Sequence, residues 1–229
     1  MAQQGFQYEK NAADFLKKRN LVEKNFHPAG ASHATADLEV TYKGQTEGVE
    51  LKITAASAGS LVLKYDSKAP KGNKWNFKDV SNDPEKQFLA SVAKSVGALE
   101  RINKEWDSMP LLFSDTSKLD KKKKYEVDHA NYKEINQDID PKYIEKYYNE
   151  KKTHYVNVGS DGFYLFGTKD PFGLNKNLSK VKLPTVPLFS ASARAKFRAR
   201  VQYKGSGSYQ FTFELSFKMT KKSPYNIAP

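Results

Sequence analysis

Two runs near the C-terminus alternate almost without a break. In RAKFRARVQYK (194–204), Ala195, Phe197, Ala199, Val201 and Tyr203 share one side, and Arg194, Lys196, Arg198, Arg200, Gln202 and Lys204 share the other. In SYQFTFELSFKM (208–219), Tyr209, Phe211, Phe213, Leu215, Phe217 and Met219 face one way. A period of two over this length is compatible only with extended strands, and one face of the pair must be buried. The intervening GSGS marks a hairpin, expected with a loop of several residues. The polar side carries cations on one strand, and Glu214 is the only acid opposing them. Side chains on one face of a strand recur about every 7 Å, a spacing suited to successive phosphates. Arg194, Lys196, Arg198, Arg200 and Lys204 are therefore candidate DNA contacts. The competing reading is a solvated sheet face guarded by charge against edge pairing.

The overall charge agrees with an acidic partner. Among 229 residues, 38 Lys and Arg outnumber 26 Asp and Glu, for a net charge of +12. That balance favours nucleic acid before a membrane surface. No apolar run approaches the length of a membrane span, and the N-terminus lacks the basic-then-apolar pattern of a signal peptide. The chain has no cysteine, which excludes disulfides, thiolate metal ligands and a Cys nucleophile. A cytoplasmic location is expected.

Residues 5–21 predict a helix with Ala12, Ala13, Phe15 and Leu16 as its apolar stripe. Strands are expected over 36–43, 47–54 and 60–66, the first two joined by a turn around Gly44 and Gln45. Residues 83–107 predict a long helix capped by Asp83, with Pro84 at its first position. The segment after it, including Lys121–Lys124, reads as an exposed loop whose charges are solvated. Asp140-Pro141 opens a short helix over 140–152, whose Tyr143, Tyr147 and Tyr148 read as packing residues. From 153 onward the pattern turns to β: THYVNVG, GFYLFG, KVKLP and then the long alternating pair. The shift near 150 divides a core of 1–152 from a β-rich part of 153–229, packed on the same domain and contributing DNA contacts.

The segment GVELKIT (48–54) carries the chemistry. Val49, Leu51 and Ile53 share one face, and Glu50 and Lys52 share the other. In ADLEVTYK (36–43), Leu38, Val40 and Tyr42 share a face opposite Asp37. If the two strands pair around the short turn, both apolar faces meet one core, and Asp37, Glu50 and Lys52 gather on the other side. Two carboxylates there make a hard oxygen site suited to Mg²⁺ or Mn²⁺. The lysine can position or deprotonate a water and stabilise charge on a phosphate. The alternative is a ladder of solvated charges without metal affinity.

Asp37, twelve intervening residues, then Glu50-Leu51-Lys52 resembles the PD-(D/E)XK nuclease superfamily, the restriction-endonuclease-like fold. Ala36 stands where that pattern has proline. The resemblance covers about the first half of the chain. It implies a mixed α/β fold: a helix, a three-stranded antiparallel meander, a helix and a further strand, forming a central mixed sheet flanked by helices, here with a C-terminal β-hairpin extension. It further implies that Asp37, Glu50 and the Leu51 carbonyl bind the metal, that Lys52 is the catalytic lysine, and that Glu9 contacts a water at the metal. Gln87 is a weaker candidate, for the glutamine of exonuclease-like members. The function so implied is a Mg²⁺-dependent DNA endonuclease, site-specific in the restriction or phage manner, with a homodimer expected for double-strand cutting. A structure-directed or exonucleolytic nuclease of the same superfamily and a non-catalytic nucleic-acid-binding protein are the alternatives. The four histidines form no HExxH or close pair, though His33 lies in the loop before Asp37. No GxxxxGK[ST] or GxGxxG occurs.

Overall fold

The computed structural model describes residues 2–20, 36–53, 56–114 and 118–227. In chain order the elements are α1 (Ala2–Lys17), β1 (Leu38–Tyr42), β2 (Gln45–Lys52), β3 (Ala56–Tyr65), β4 (Trp75–Phe77), α2 (Pro84–Ser95), α3 (Ala98–Glu105), α4 (Lys121–Asn131), β5 (Ile135–Ile139), α5 (Lys142–Glu150), β6 (Thr153–Val158), β7 (Gly162–Leu165), α6 (Leu174–Lys180), β8 (Ala193–Gly205) and β9 (Ser208–Met219). The class is mixed α/β, with sheets flanked by helices. The strands divide between a four-stranded sheet, β1-β2-β6-β7, and a five-stranded sheet, β4-β3-β9-β8-β5. Two compact units follow: residues 1–56, 140–195 and 217–229, and residues 57–139 and 196–216. α5 and β6, on either side of residue 152, fall in the same unit.

The first unit is built around the β1–β2 hairpin. Lys43 and Gly44 form its two-residue turn, with φ of 50° and 78°. Positive φ at both positions matches the right-handed twist of the flanking strands. The register pairs Leu38 with Val49 and Tyr42 with Gln45. Leu38, Val40, Val49 and Leu51 then share a core with Ala12, Ala13 and Leu16 of α1. β6 runs parallel to β2 and pairs with β7 antiparallel, so the sheet is mixed. All six residues of β6 are buried, as expected of a strand covered on both faces.

Three expectations change here. β3 is not the third strand of a meander with β1 and β2; it pairs with β4 and β9 in the other sheet. The helix that precedes the strand parallel to β2 is α5, not the one at 83–107. KVKLP forms no strand: Lys180 closes α6 and the remaining residues follow it.

The second unit has an aromatic core. Trp75 packs against Trp106, Tyr132, Phe113 and Phe211 at ring-centroid distances of 4.8–6.1 Å. Its indole donates to the Trp106 carbonyl, and Asn103 of α3 brackets its backbone with two hydrogen bonds. The expected 83–107 helix is two helices, because Gly97 turns left-handed at φ 65° between α2 and α3. Asp83 caps α2 through Glu85 N and Lys86 N, as its sequence position predicts. Lys121–Lys124 open α4 rather than a loop, with Asp120 accepting from Lys123 N. β8 and β9 meet through Ser206 and Gly207 alone, at φ 50° and 74°. That is the same two-residue geometry as the β1–β2 turn, shorter than the loop expected from GSGS.

Candidate active site

The hairpin register determines which charges meet. Leu38 lies opposite Val49, so one step further sets Asp37 opposite Glu50. Asp37 leaves the ladder, and its Oδ2 accepts from Leu51 N at 2.8 Å. Lys52 Nζ binds Glu50 Oε1 and lies 3.9 Å from Asp37 Oδ2. The three side chains proposed from spacing therefore converge. A strand residue sends its N–H and C=O toward the same edge. Leu51 N points at Asp37, so the Leu51 carbonyl is directed to that edge too.

The face they share is largely covered: Glu50 is buried, and Asp37 and Lys52 are half-buried. Glu50 pairs with Val156 and Lys52 with Val158 across the parallel ladder, and both valines are fully buried. From α5, Tyr148 donates to Glu50 Oε1 at 3.2 Å and stacks on Phe166 at 4.5 Å. Glu50 is 5% exposed. Burial, then the neighbouring Glu50 charge, pushes the Asp37 carboxyl up to about 6, against the opposing pull of Lys52 and the Leu51 N–H. Burial disfavours charge on Lys52, but Glu50, Asp37 and Glu9 outweigh it, and its pKa rises. Tyr148 is pushed well up, first by burial and then by Glu50.

Glu9 belongs to the same electrostatic cluster. Burial raises its pKa, Asp37 and Glu50 raise it further, and Lys52 opposes them. Its helix is pinned one residue away. Asn157 of β6, fully buried, donates to the Tyr8 hydroxyl at 2.6 Å and to Asn226 Oδ1 at 2.9 Å, and accepts from Ile227 N. Asn157 is paired with Leu51, so this network ties α1 to the strand that carries the candidate site.

Sequence reasoning missed Tyr148, Asn157 and Lys151. Tyr148 and Asn157 lie about a hundred residues from the strand they serve, and Tyr148 sits on the apolar face of an amphipathic helix, where packing is the ordinary reading. Lys151 lies over the rings of Tyr147 and Tyr148 and lowers the Asp37 pKa as a minor contribution.

Other candidates fall elsewhere. Gln87 is in the second unit, where its amide donates to the Ser81 carbonyl at 2.7 Å. His33 lies outside the described residues. On β8, Arg194 and Lys204 are exposed, whereas Lys196, Arg198 and Arg200 are half-buried. Arg198 and Arg200 both reach Glu214 Oε2, at 2.8 and 3.2 Å. Their buried Nε atoms have no hydrogen-bond partner among the described residues.

Among the described residues, no group of three or more His, Asp or Glu side chains forms a metal cage by itself. No described helix is long and apolar enough to cross a membrane. No family model and no curated protein matches the chain. Among solved structures it is similar to HhaI endonuclease, determined in complex with DNA. That likeness has a TM-score of 0.45 at 10% identity, over 97% of this chain and 93% of the other. At that score the likeness is a loose one.

Proposed function

We propose that the chain is a metal-dependent endonuclease that hydrolyses phosphodiester bonds in DNA. The observation supporting this reading is the convergence of Asp37, Glu50 and Lys52, one buried and two half-buried, beside β2. Two carboxylates crowded together, with a carbonyl directed to the same edge, form an all-oxygen donor set. Such a set fits Mg²⁺ or Mn²⁺, and Mg²⁺ commonly retains several waters rather than filling a protein cage. The Lys52 ammonium already answers the negative charge there.

When bound, the cation supplies Lewis-acid polarisation of a phosphoryl oxygen. Asp37, Glu50 and the Leu51 carbonyl hold it. Lys52, kept protonated by its acidic neighbours, positions the water and stabilises charge growing on the phosphate. Glu9, its pKa raised, orders the water and takes its proton. The new bond forms between the water oxygen and phosphorus as the bond to the 3′ oxygen breaks. A 5′-phosphate results, and the leaving 3′ oxygen takes a proton from solvent to become a 3′-hydroxyl.

Within this reading the enzyme is site-specific, cuts both strands as a homodimer and works in the cytoplasm. The exposed Arg194 and Lys204 contribute to the grip on DNA. The half-buried Lys196, Arg198 and Arg200 add to it, the two arginines after partial release from Glu214. The test is incubation with supercoiled plasmid, linear duplex and single strands, with and without Mg²⁺, followed by end mapping. Cleavage that requires Mg²⁺ and disappears in Lys52→Ala is expected. Full cleavage by Lys52→Ala would overturn the assignment.

A further inference from the structure

Beside the acid cluster, the β1–β2 hairpin and the α5–β6 junction enclose a cleft of about 350 Å³. Ala36 and Gly48 line it, immediately next to Asp37 and two residues before Glu50. Lys151, Lys152 and Lys169 supply three cations. Two carboxylates also face it, Glu39 and Glu47, and Glu47 is already engaged by His154 Nδ1 at 2.7 Å.

The cleft is built by local irregularities. The β2–β6 register shifts between Gly48 and Val49: Gly48 pairs with Thr153 and Val49 with Tyr155, so His154 is the extra residue of a bulge. A bulge re-aims the side chain it carries, and here that side chain meets Glu47 and holds its carboxylate in place. Gly48 leaves the space clear, since a Cβ there would lie 2.7 Å from the Ala36 Cβ and 2.9 Å from Thr153 Oγ1. Lys152 occupies the left-handed position after α5, at φ 55°. Glycine is the ordinary residue at that helix end; this chain places a cation there.

We infer that this cleft is a phosphate subsite: it takes the backbone phosphate of the nucleic-acid strand that neighbours the phosphate at Asp37 and Glu50. Three lysines face two carboxylates, one of which, Glu47, is held by His154, so the cleft keeps a net positive charge and an anion is the favoured occupant. Lys151 links the two places, because its charge is felt at Asp37. The strand then runs past the acid edge with one phosphate at the cleavage position and the next held by the lysines. This inference rests on the nuclease reading and adds the residues that set the strand's path.

The experiment measures binding of a fluorescent 20–30 base-pair duplex in EDTA, from low to high salt, by wild type and by Lys152→Gly/Lys169→Ala. Loss of one phosphate contact lowers the slope of log K against log[salt] by about 0.9. That drop is expected, with weaker binding at low salt. The Tm should hold or rise, because glycine suits the left-handed position, so a loss of fold cannot imitate the result. An unchanged slope overturns the inference. Stabilisation by inorganic phosphate that the variant loses, with the duplex slope unchanged, would mark an anion pocket only and would also overturn it. A slope that drops in a protein unable to cut DNA in Mg²⁺ would leave the subsite standing and remove the nuclease reading. Cutting with an unchanged slope would do the reverse.

Discussion

Each unit of this protein withdraws an aspartate from solvent, Asp128 fully and Asp37 in large part, and the two are handled in opposite ways. Asp128, 1% exposed, accepts from Leu111 N, Leu112 N and the Tyr209 hydroxyl at 2.7–2.9 Å. Three donors meet its two oxygens, and it ties α4 to the segment at 111–113 and to β9. Asp37 has one backbone donor, Leu51 N, the Lys52 ammonium at 3.9 Å, which Glu50 holds more closely, and a second carboxylate as its neighbour. Its charge is left partly unanswered, and its pKa rises. A buried carboxylate with a full donor set organises the fold. One crowded by another carboxylate stores an electrostatic cost that a cation can relieve. The difference separates a structural acid from a candidate ligand without appeal to sequence motif.

Substitutions can break this contrast or sharpen it. The largest effect is expected from Lys52→Ala in a plasmid-cleavage assay: a fall in rate of about a thousandfold, on the order of 4 kcal/mol of transition-state stabilisation. Duplex affinity should stay nearly intact. Next is Asp128→Ala, which strands three buried donors. At about 1 kcal/mol or more for each, the loss should reach roughly 3 kcal/mol and lower the Tm by roughly 10 °C. If it instead spared the Tm and abolished cleavage, the two aspartates would not differ as described.

Asp37→Asn should behave in the opposite sense. A carboxylate whose pKa is raised by folding binds its proton more tightly in the native state. The metal-free protein therefore loses stability as pH rises from about 4 through about 6, by up to about 3 kcal/mol. Below the unfolded-state value near 4 that loss is absent. Denaturant melts across pH in EDTA should show this fall in wild type and its removal in Asp37→Asn, which keeps an acceptor for Leu51 N. The smallest effect is expected from Tyr148→Phe. It removes one hydrogen bond to Glu50, worth about 1 kcal/mol, and should lower kcat several-fold while leaving duplex binding unchanged.

The sequence made the β1–β2 hairpin legible because its information is local. A glycine turn and two alternating runs set the register, and the register brings Asp37 opposite Glu50. The cap at Asp83 and the β8–β9 pair were legible for the same reason. What covers the acid face was not. Tyr148 and the β6 valines reach Glu50 and Lys52 only because the chain returns after forming much of another sheet. Composition changes near residue 152, and α5 and β6 on either side of it fall in the same unit. α4 was hidden because a lysine run reads as solvated whether helical or not. The strand β4 was hidden because three residues give no readable period, and β5, INQDI, because Gln137 interrupts its apolar side. Glu214 was legible as the one acid opposing the β8 cations, but alternation does not report that it engages Arg198 and Arg200 together.

That Asp37 and Glu50 jointly hold a divalent cation is tested most directly by calorimetric titration of Mn²⁺ into the protein at about pH 7.5. One saturable site is predicted in wild type, weakened at least about tenfold by Asp37→Asn or Glu50→Gln and unaffected by Asp128→Asn. A protein that takes up no Mn²⁺, or binds it equally well after both substitutions at the acid edge, would contradict the account.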